Sequence, residues 1–243
     1  MRLFTFLRFM RQITRKKPAD LDWIQNQGLI AVKLAQIFAL RPDLLGEEKC
    51  QQLQQLYQHA ASIPAESLTE TLNSKAIKNF ADNFEYIDHE PLAAASVGQV
   101  HRATLKSGDE VIIKFVKQAN SKVFSKEVKR MRNWLKIIIL FSPRLRKVGN
   151  PLALINHVAD YTLRELDLQN EIKGAEELMK IQKDISKDFP TPLLKFPKYY
   201  PELSNENVLV SEFIDGDSLE DGIDNKSLSW DTLLDLFRID GAY

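Results

Sequence analysis

The chain has 243 residues, enough to bury a sizeable core in one domain or two. Hydrophobic residues make up 44% and charged residues 27%, as in an ordinary globular protein, and 33 Lys and Arg against 33 Asp and Glu leave no net charge, which argues against a nucleic-acid partner. The single cysteine, Cys50, excludes an internal disulfide framework, and no apolar run reaches the ~18 residues of a membrane-spanning helix.

The opening segment, MRLFTFLRFMRQITRKK, interleaves Leu3, Phe4, Phe6, Leu7, Phe9, Met10 and Ile13 with Arg2, Arg8, Arg11, Arg15, Lys16 and Lys17. It lacks the unbroken apolar centre and small-residue cleavage site of a signal peptide. A basic amphipathic helix of this kind either lies on a membrane surface or packs on its own domain. Residues 19–75 read as helices. The apolar face that begins at Ile24 and runs through Leu40 breaks at Arg41-Pro42-Asp43, because the residue before proline disfavours α geometry. A second helix follows Gly46, Ser62 to Glu66 reads as a turn, and a third helix is predicted to about Phe80.

Residues 84–117 read as strands. Within Pro91 to Lys114, PLAAASVGQVHRATLKSGDEVIIK, apolar and β-branched residues alternate from Val97 to Ala103 and from Val111 to Phe115, separated by the turn Lys106-Ser107-Gly108-Asp109. Helices are predicted from about 120 to 142 and from 151 to 184, then strands around Phe196 to Tyr200 and Glu206 to Ile214, ended by Asp215-Gly216. A last helix begins near Ser229. This order gives an α+β fold whose sheet is a meander rather than a series of βαβ units.

Lys114 follows Val111-Ile112-Ile113 and reads as a buried lysine in want of an anionic partner, a phosphate or a carboxylate. The loop Ala93-Ala94-Ala95-Ser96-Val97-Gly98 carries small side chains that let backbone N–H groups approach a phosphate, stiffer than a glycine loop because each alanine keeps its Cβ. On one predicted helix, Glu165 and Glu171 are six residues apart, about 600° of turn, so they point in different directions and only one can face Lys114. Lys33 and Gln36 are polar positions on an otherwise apolar helix. His59, His89, His101 and His157 show no metal spacing, and no metal ligand set is assigned.

Together these strings resemble the UbiB/AarF family of ABC1/ADCK-type atypical kinases, from about Gly28 to Tyr243 and in the family's order. Lys33-Leu34-Ala35-Gln36 resembles its KxGQ motif and is followed by the typical Arg41-Pro42-Asp43-Leu44-Leu45. Ala93 to Gln99 resembles its alanine-rich loop, Lys114 its nucleotide lysine, Glu165 and Asp167 its ExD motif, Glu171 the glutamate after it, and Val210 to Ile214 its hinge. Three features depart from the pattern: Ala35 replaces the motif glycine, Ile172-Lys173-Gly174 differs from the usual small-residue and asparagine run, and the sequence stops at Tyr243, where the catalytic-loop segment HxDxxxxN and the metal-binding aspartate are expected to follow.

The resemblance implies an atypical kinase-like fold with a helical extension over 1–80, a nucleotide-binding lobe with inserted helices over 81–216 and the start of a second lobe over 217–243. It implies that ATP or ADP is held by Lys114, oriented by Glu171, beneath Ala93 to Gly98, with Glu212 and Ile214 offering hinge backbone to an adenine. Lys33 and Gln36, with Glu165 and Asp167, would occupy the place where a protein kinase admits its peptide. Magnesium is expected for the full-length family member only. The implied setting is isoprenoid quinone biosynthesis at the cytoplasmic face of a bacterial inner membrane, or its mitochondrial or plastid equivalent, with quinone-biosynthesis proteins and a lipid surface as partners. The chain itself is expected to lack catalytic residues; the alternative is a non-catalytic binding module that keeps the lobe as an interaction surface.

Overall fold

A computed structural model describes residues 2–58, 62–117, 121–141, 150–185 and 195–216, with 219–225, 229, 231–232 and 234 near the end. Helix α1 (Leu3–Thr14) buries Phe6, Phe9 and Ile13, one side of the helix, against the body of the protein. The N-terminal segment therefore packs on its own core, while Phe4, 84% exposed, and Leu7 face outward. Asp20 caps α2 (Leu21–Gln25) by accepting the Trp23 N–H at 2.9 Å. Gly28, at φ 95°, turns the chain into α3 (Leu29–Ala39) in a conformation that would strain a side-chain-bearing residue. Helix α3 ends ahead of Pro42, as the sequence predicts. Pro42 opens the single turn α4 (Pro42–Leu45), and α5 (Glu47–Gln58) follows Gly46.

The third predicted helix is shorter than expected. α6 (Leu68–Lys75) stops at an extended Ala76, and Asn79 at φ 59° is left-handed. The chain then drops Phe80 into the core through a 3₁₀ turn over Phe80–Asn83. Five strands form one antiparallel sheet: β1 (Phe84–Ile87), β2 (Ala93–Ala94), β3 (Gly98–Leu105), β4 (Glu110–Val116) and β5 (Val208–Glu212). The order is β1-β3-β4-β5, with β2 also paired to β3. The register sets Gln99 opposite Phe115, His101 opposite Ile113 and Ala103 opposite Val111, so these share one face, with Val208 and Val210 beside them. Gly98, Val100, Ile112, Lys114, Val116 and Leu209 share the other.

Helix α7 (Ser121–Phe141) precedes α8 (Pro151–Glu165), which is capped by Asn150. The sequence predicts one helix from 151 to 184, but the structure divides it into α8 and α9 (Gln169–Ile185). At the break Leu166 and Leu168, two residues apart, both enter the core. The Leu168 N–H donates to Glu206 O at 2.9 Å, and Asp167 Oδ1 accepts the Gln169 N–H at 3.1 Å to start the new helix.

Two hydrophobic cores result. One joins α1 and α3 to α5, α7, α8 and the Lys114 face of the sheet, through residues such as Phe9, Ile30, Leu53, Met131, Val158, Val116 and Leu209. The other joins the opposite face to α6, through Leu68, Leu72, Phe80, Ile113, Phe115 and Val210. Packing thus crosses the boundary at residue 80 that the sequence suggested. At the far end, Ser229 Oγ accepts the Thr232 N–H at 3.1 Å, as a helix cap would. Residues 235–243 lie outside the described residues.

Candidate nucleotide site

Alternation along β4 decides where Lys114 points. Ile113 and Phe115 enter the core, so Lys114 stands on the opposite face, where its ammonium pairs with the Glu171 carboxylate from the first turn of α9. The lysine is not buried as its apolar neighbours suggested. Its side chain is 33% exposed and that of Glu171 41%. A pair this open contributes only about 0–1 kcal/mol to stability, so both charges remain within reach of a ligand. Tyr199, bridged to Ser211 beside β5, borders the site: burial first, and the Glu171 charge second, push its phenol above the usual tyrosine range. Its position was not legible in the sequence, since only the folded sheet brings it to Glu171.

The alanine-rich loop is the hairpin between β2 and β3. The Ala95 N–H donates to Gly98 O at 2.9 Å, and the Lys117 N–H donates to Val97 O at 2.9 Å, which ties the loop to the end of β4. Ala93 and Ala95 are exposed, Ala94 and Ser96 half-buried, Val97 and Gly98 buried. Gly98 has a packing reason: a Cβ there would come 3.2 Å from Phe115 O and 3.8 Å from Lys114 Cε. The hinge is partly committed. The Glu212 N–H donates to Lys198 O at 2.8 Å and the Phe213 N–H to Glu110 O at 3.0 Å, while Ile214 is exposed.

A second ion pair joins α3 to the end of α8. Lys33 Nζ lies 2.6 Å from Glu165 Oε2, with side chains only 15% and 28% exposed, and 5.9 Å above the Tyr161 ring. Glu165 Oε2 is itself shut off from solvent, and its contact with Lys33 is that of an ion pair rather than a well-aligned hydrogen bond. Glu165 and Glu171 do point to different lysines. The cause is not the 600° of one helix but the break at Leu166–Leu168, which puts them on α8 and α9. Asp167 is spent on that break as the cap of α9. Gln36 does not join this pair: buried on α3, it donates to Leu56 O at 3.1 Å and holds α3 to α5.

One buried network went unread in the sequence. His101 Nδ1 lies 2.7 Å from Asp88 O, which can only accept, so Nδ1 carries the proton and Nε2 accepts from the Gln99 amide at 2.8 Å. Gln99 Oε1 in turn accepts the Ile63 N–H at 2.7 Å. This chain anchors the base of the alanine-rich hairpin to the segment before α6. Among the described residues, no group of three or more His, Cys, Asp or Glu could hold a metal ion. Lys33 and Lys114 already occupy Glu165 and Glu171, so no step is assigned to a metal here.

Comparison with known proteins matches residues 55–234 to the ABC1 atypical kinase-like domain. The chain is 30% identical over 216 residues to "Probable protein kinase UbiB" of Pseudomonas fluorescens strain Pf-5, covering 85% of this chain and 39% of that protein. It is 31% identical over 195 residues to the protein of the same name from Cellvibrio japonicus, covering 79% of this chain and 34% of that one. The chain therefore spans less than half the length of these curated relatives. The solved complex of Rv3197 with erythromycin from Mycobacterium tuberculosis superposes with a TM-score of 0.49 at 23% identity, over 79% of this chain and 45% of that one. The architecture is α+β and kinase-like, helices around a small antiparallel sheet. This chain belongs to the ABC1 atypical kinase-like family.

Proposed function

We propose that the chain is the nucleotide-binding part of a UbiB-type atypical kinase or ATPase that supports ubiquinone or a related isoprenoid quinone. The observation that carries this reading is the Lys114–Glu171 pair. It is partly open to solvent, beside the hairpin at Gly98, where an added Cβ would come 3.8 Å from Lys114 Cε, and it is too exposed to be explained by stability. In this reading Lys114 takes the α/β-phosphates of ATP or ADP and Glu171 fixes the direction of its ammonium. Backbone N–H groups between Ala93 and Gly98 approach the same phosphates. The hinge contribution comes from Ile214 more than from Glu212, whose N–H is already donating.

The Lys33–Glu165 pair occupies the side of the site where a peptide acceptor would enter, which favours ATP hydrolysis or a small acceptor over protein phosphorylation. Phosphoryl transfer also needs metal-neutralised phosphates and an aligned acceptor. The residues named here supply neither, so the reading for this chain is binding without turnover. Calorimetric titration with ADP tests it. Lys114→Ala is expected to weaken binding at least tenfold, about 1.4 kcal/mol. Equal affinity in the variant and the parent chain would sink the assignment of Lys114.

A further inference from the structure

A cleft of about 630 Å³ lies between α3, α6 and α7, and neither Lys114 nor Glu171 lines it. That volume is in the usual range for small-molecule pockets of about 300–1,000 Å³. Leu29 and Val32 from α3 and Phe124 from α7 give it an apolar wall. Two ammonium groups, Lys75 at the end of α6 and Lys117 just past β4, line it together with the hydroxyl-bearing Thr71 and Ser96. Burial pushes both lysines below the usual lysine range, with no opposing cause. Glu127 is the one carboxylate in the lining. It lies against Gly28, where an added Cβ would come 3.3 Å from its Oε2. Lys117 and Glu127 are each engaged within the chain, whereas the Lys75 ammonium has no hydrogen-bond or ion-pair partner among the described residues.

The Lys75 ammonium, half-buried and without a partner among the described residues, is stabilised by an anion placed beside it. We infer that this cleft binds a small amphiphile whose oxyanion head meets Lys75 and whose apolar part lies along Val32 and Phe124. The cleft shares Ser96 and Val97 with the alanine-rich hairpin but uses neither Lys114 nor Glu171, so it can be tested apart from the nucleotide reading.

The probe is 1-naphthyl phosphate, titrated calorimetrically into the full chain, with 1-naphthol and inorganic phosphate run in parallel. Naphthyl phosphate is expected to bind at least tenfold more tightly than either. Lys75→Gln should weaken it at least tenfold, whereas Lys114→Ala should leave it within about twofold. A rise in thermal midpoint of the parent chain with naphthyl phosphate, and none with naphthol, gives a second readout that needs no variant. Absence of binding, equal binding of naphthol, tighter binding of inorganic phosphate, or unchanged affinity in Lys75→Gln would each overturn the proposal. Loss of binding in Lys114→Ala would do so too, by moving the ligand to the nucleotide site.

Discussion

Two lysines that look alike in the sequence end in different energetic settings. Lys114 and Glu171 share a solvent-open pair, whereas Lys33 and Glu165 are largely enclosed. Removing Lys33 strands a carboxylate oxygen that has no other partner and no solvent. Lys33→Met should therefore cost about 1–3 kcal/mol, somewhat below the range for breaking a fully buried pair. Adding Glu165→Gln should recover part of that loss. A double-mutant cycle in urea with no coupling between the two sites would refute the pairing. His101 supplies a pH dependence. Burial, the larger influence, pushes its imidazole below 6.5 despite the opposing hydrogen bond to Asp88. The unfolded chain thus takes up a proton that the folded chain resists. The contribution of His101 is fully present above pH 6.5 and is lost as pH falls from 6.5 toward the depressed folded value. Urea midpoints should drop between pH 7.5 and 5.5 by more in the parent chain than in His101→Gln. An equal drop in both would show that folding leaves the imidazole's proton affinity unchanged.

At the level of elements, the sequence marked starts and stops well wherever backbone chemistry alone decides them. Pro42 ended α3, Gly46 separated α4 from α5, and the turn at Gly108 joined β3 to β4. It failed where burial overrode a good helical pattern. The stretch 151–184 has no proline or left-handed glycine at 166–168, and its break is held by tertiary contacts, the buried Leu166 and Leu168 and the Leu168 N–H bond to Glu206 O. Helix α3 shows how a motif departure is absorbed. Ala35 is fully buried in the core that joins α3 to its neighbours, so the missing glycine leaves no gap there. Restoring it with Ala35→Gly should destabilise the chain by about 1 kcal/mol or more, through helix propensity and lost packing. Urea unfolding gives the measurement, and a gain in stability would mean that Ala35 is strained where it sits.

Across the whole molecule, α1 and α7 present one continuing surface. Arg2 lines a shared cleft with Arg130, Asn133, Trp134 and Ile137. Phe4 and Leu7 on α1 and Ile137 and Leu140 on α7 are exposed. Apolar side chains set among arginines suit the interface of an anionic membrane, and no helix among the described residues is long and apolar enough to cross one. Contact between this face and an anionic lipid surface can be measured directly. Co-sedimentation with vesicles containing phosphatidylglycerol should exceed that with phosphatidylcholine alone, and Phe4→Ser with Leu140→Ser should reduce it severalfold. Equal pelleting of both vesicle types by parent and variant would refute such a contact.

The family and the fold class were legible from local strings, because each reports a short-range constraint. Small residues in the hairpin, a lysine one position past an apolar pair, and a proline after an arginine are all set by neighbours in the chain. The fate of Gln36 and the contacts of Tyr199 and His101 were not legible. Each depends on a partner outside its own element: Leu56 for Gln36, Glu171 for Tyr199, Asp88 for His101. The sequence strings singled out Lys33, Lys114, Glu165 and Glu171 as candidates. Which lysine meets which glutamate, and which pair stays open to a ligand, was decided only by the tertiary fold, which sets the two acids on separate helices and brings each to a lysine far away in sequence.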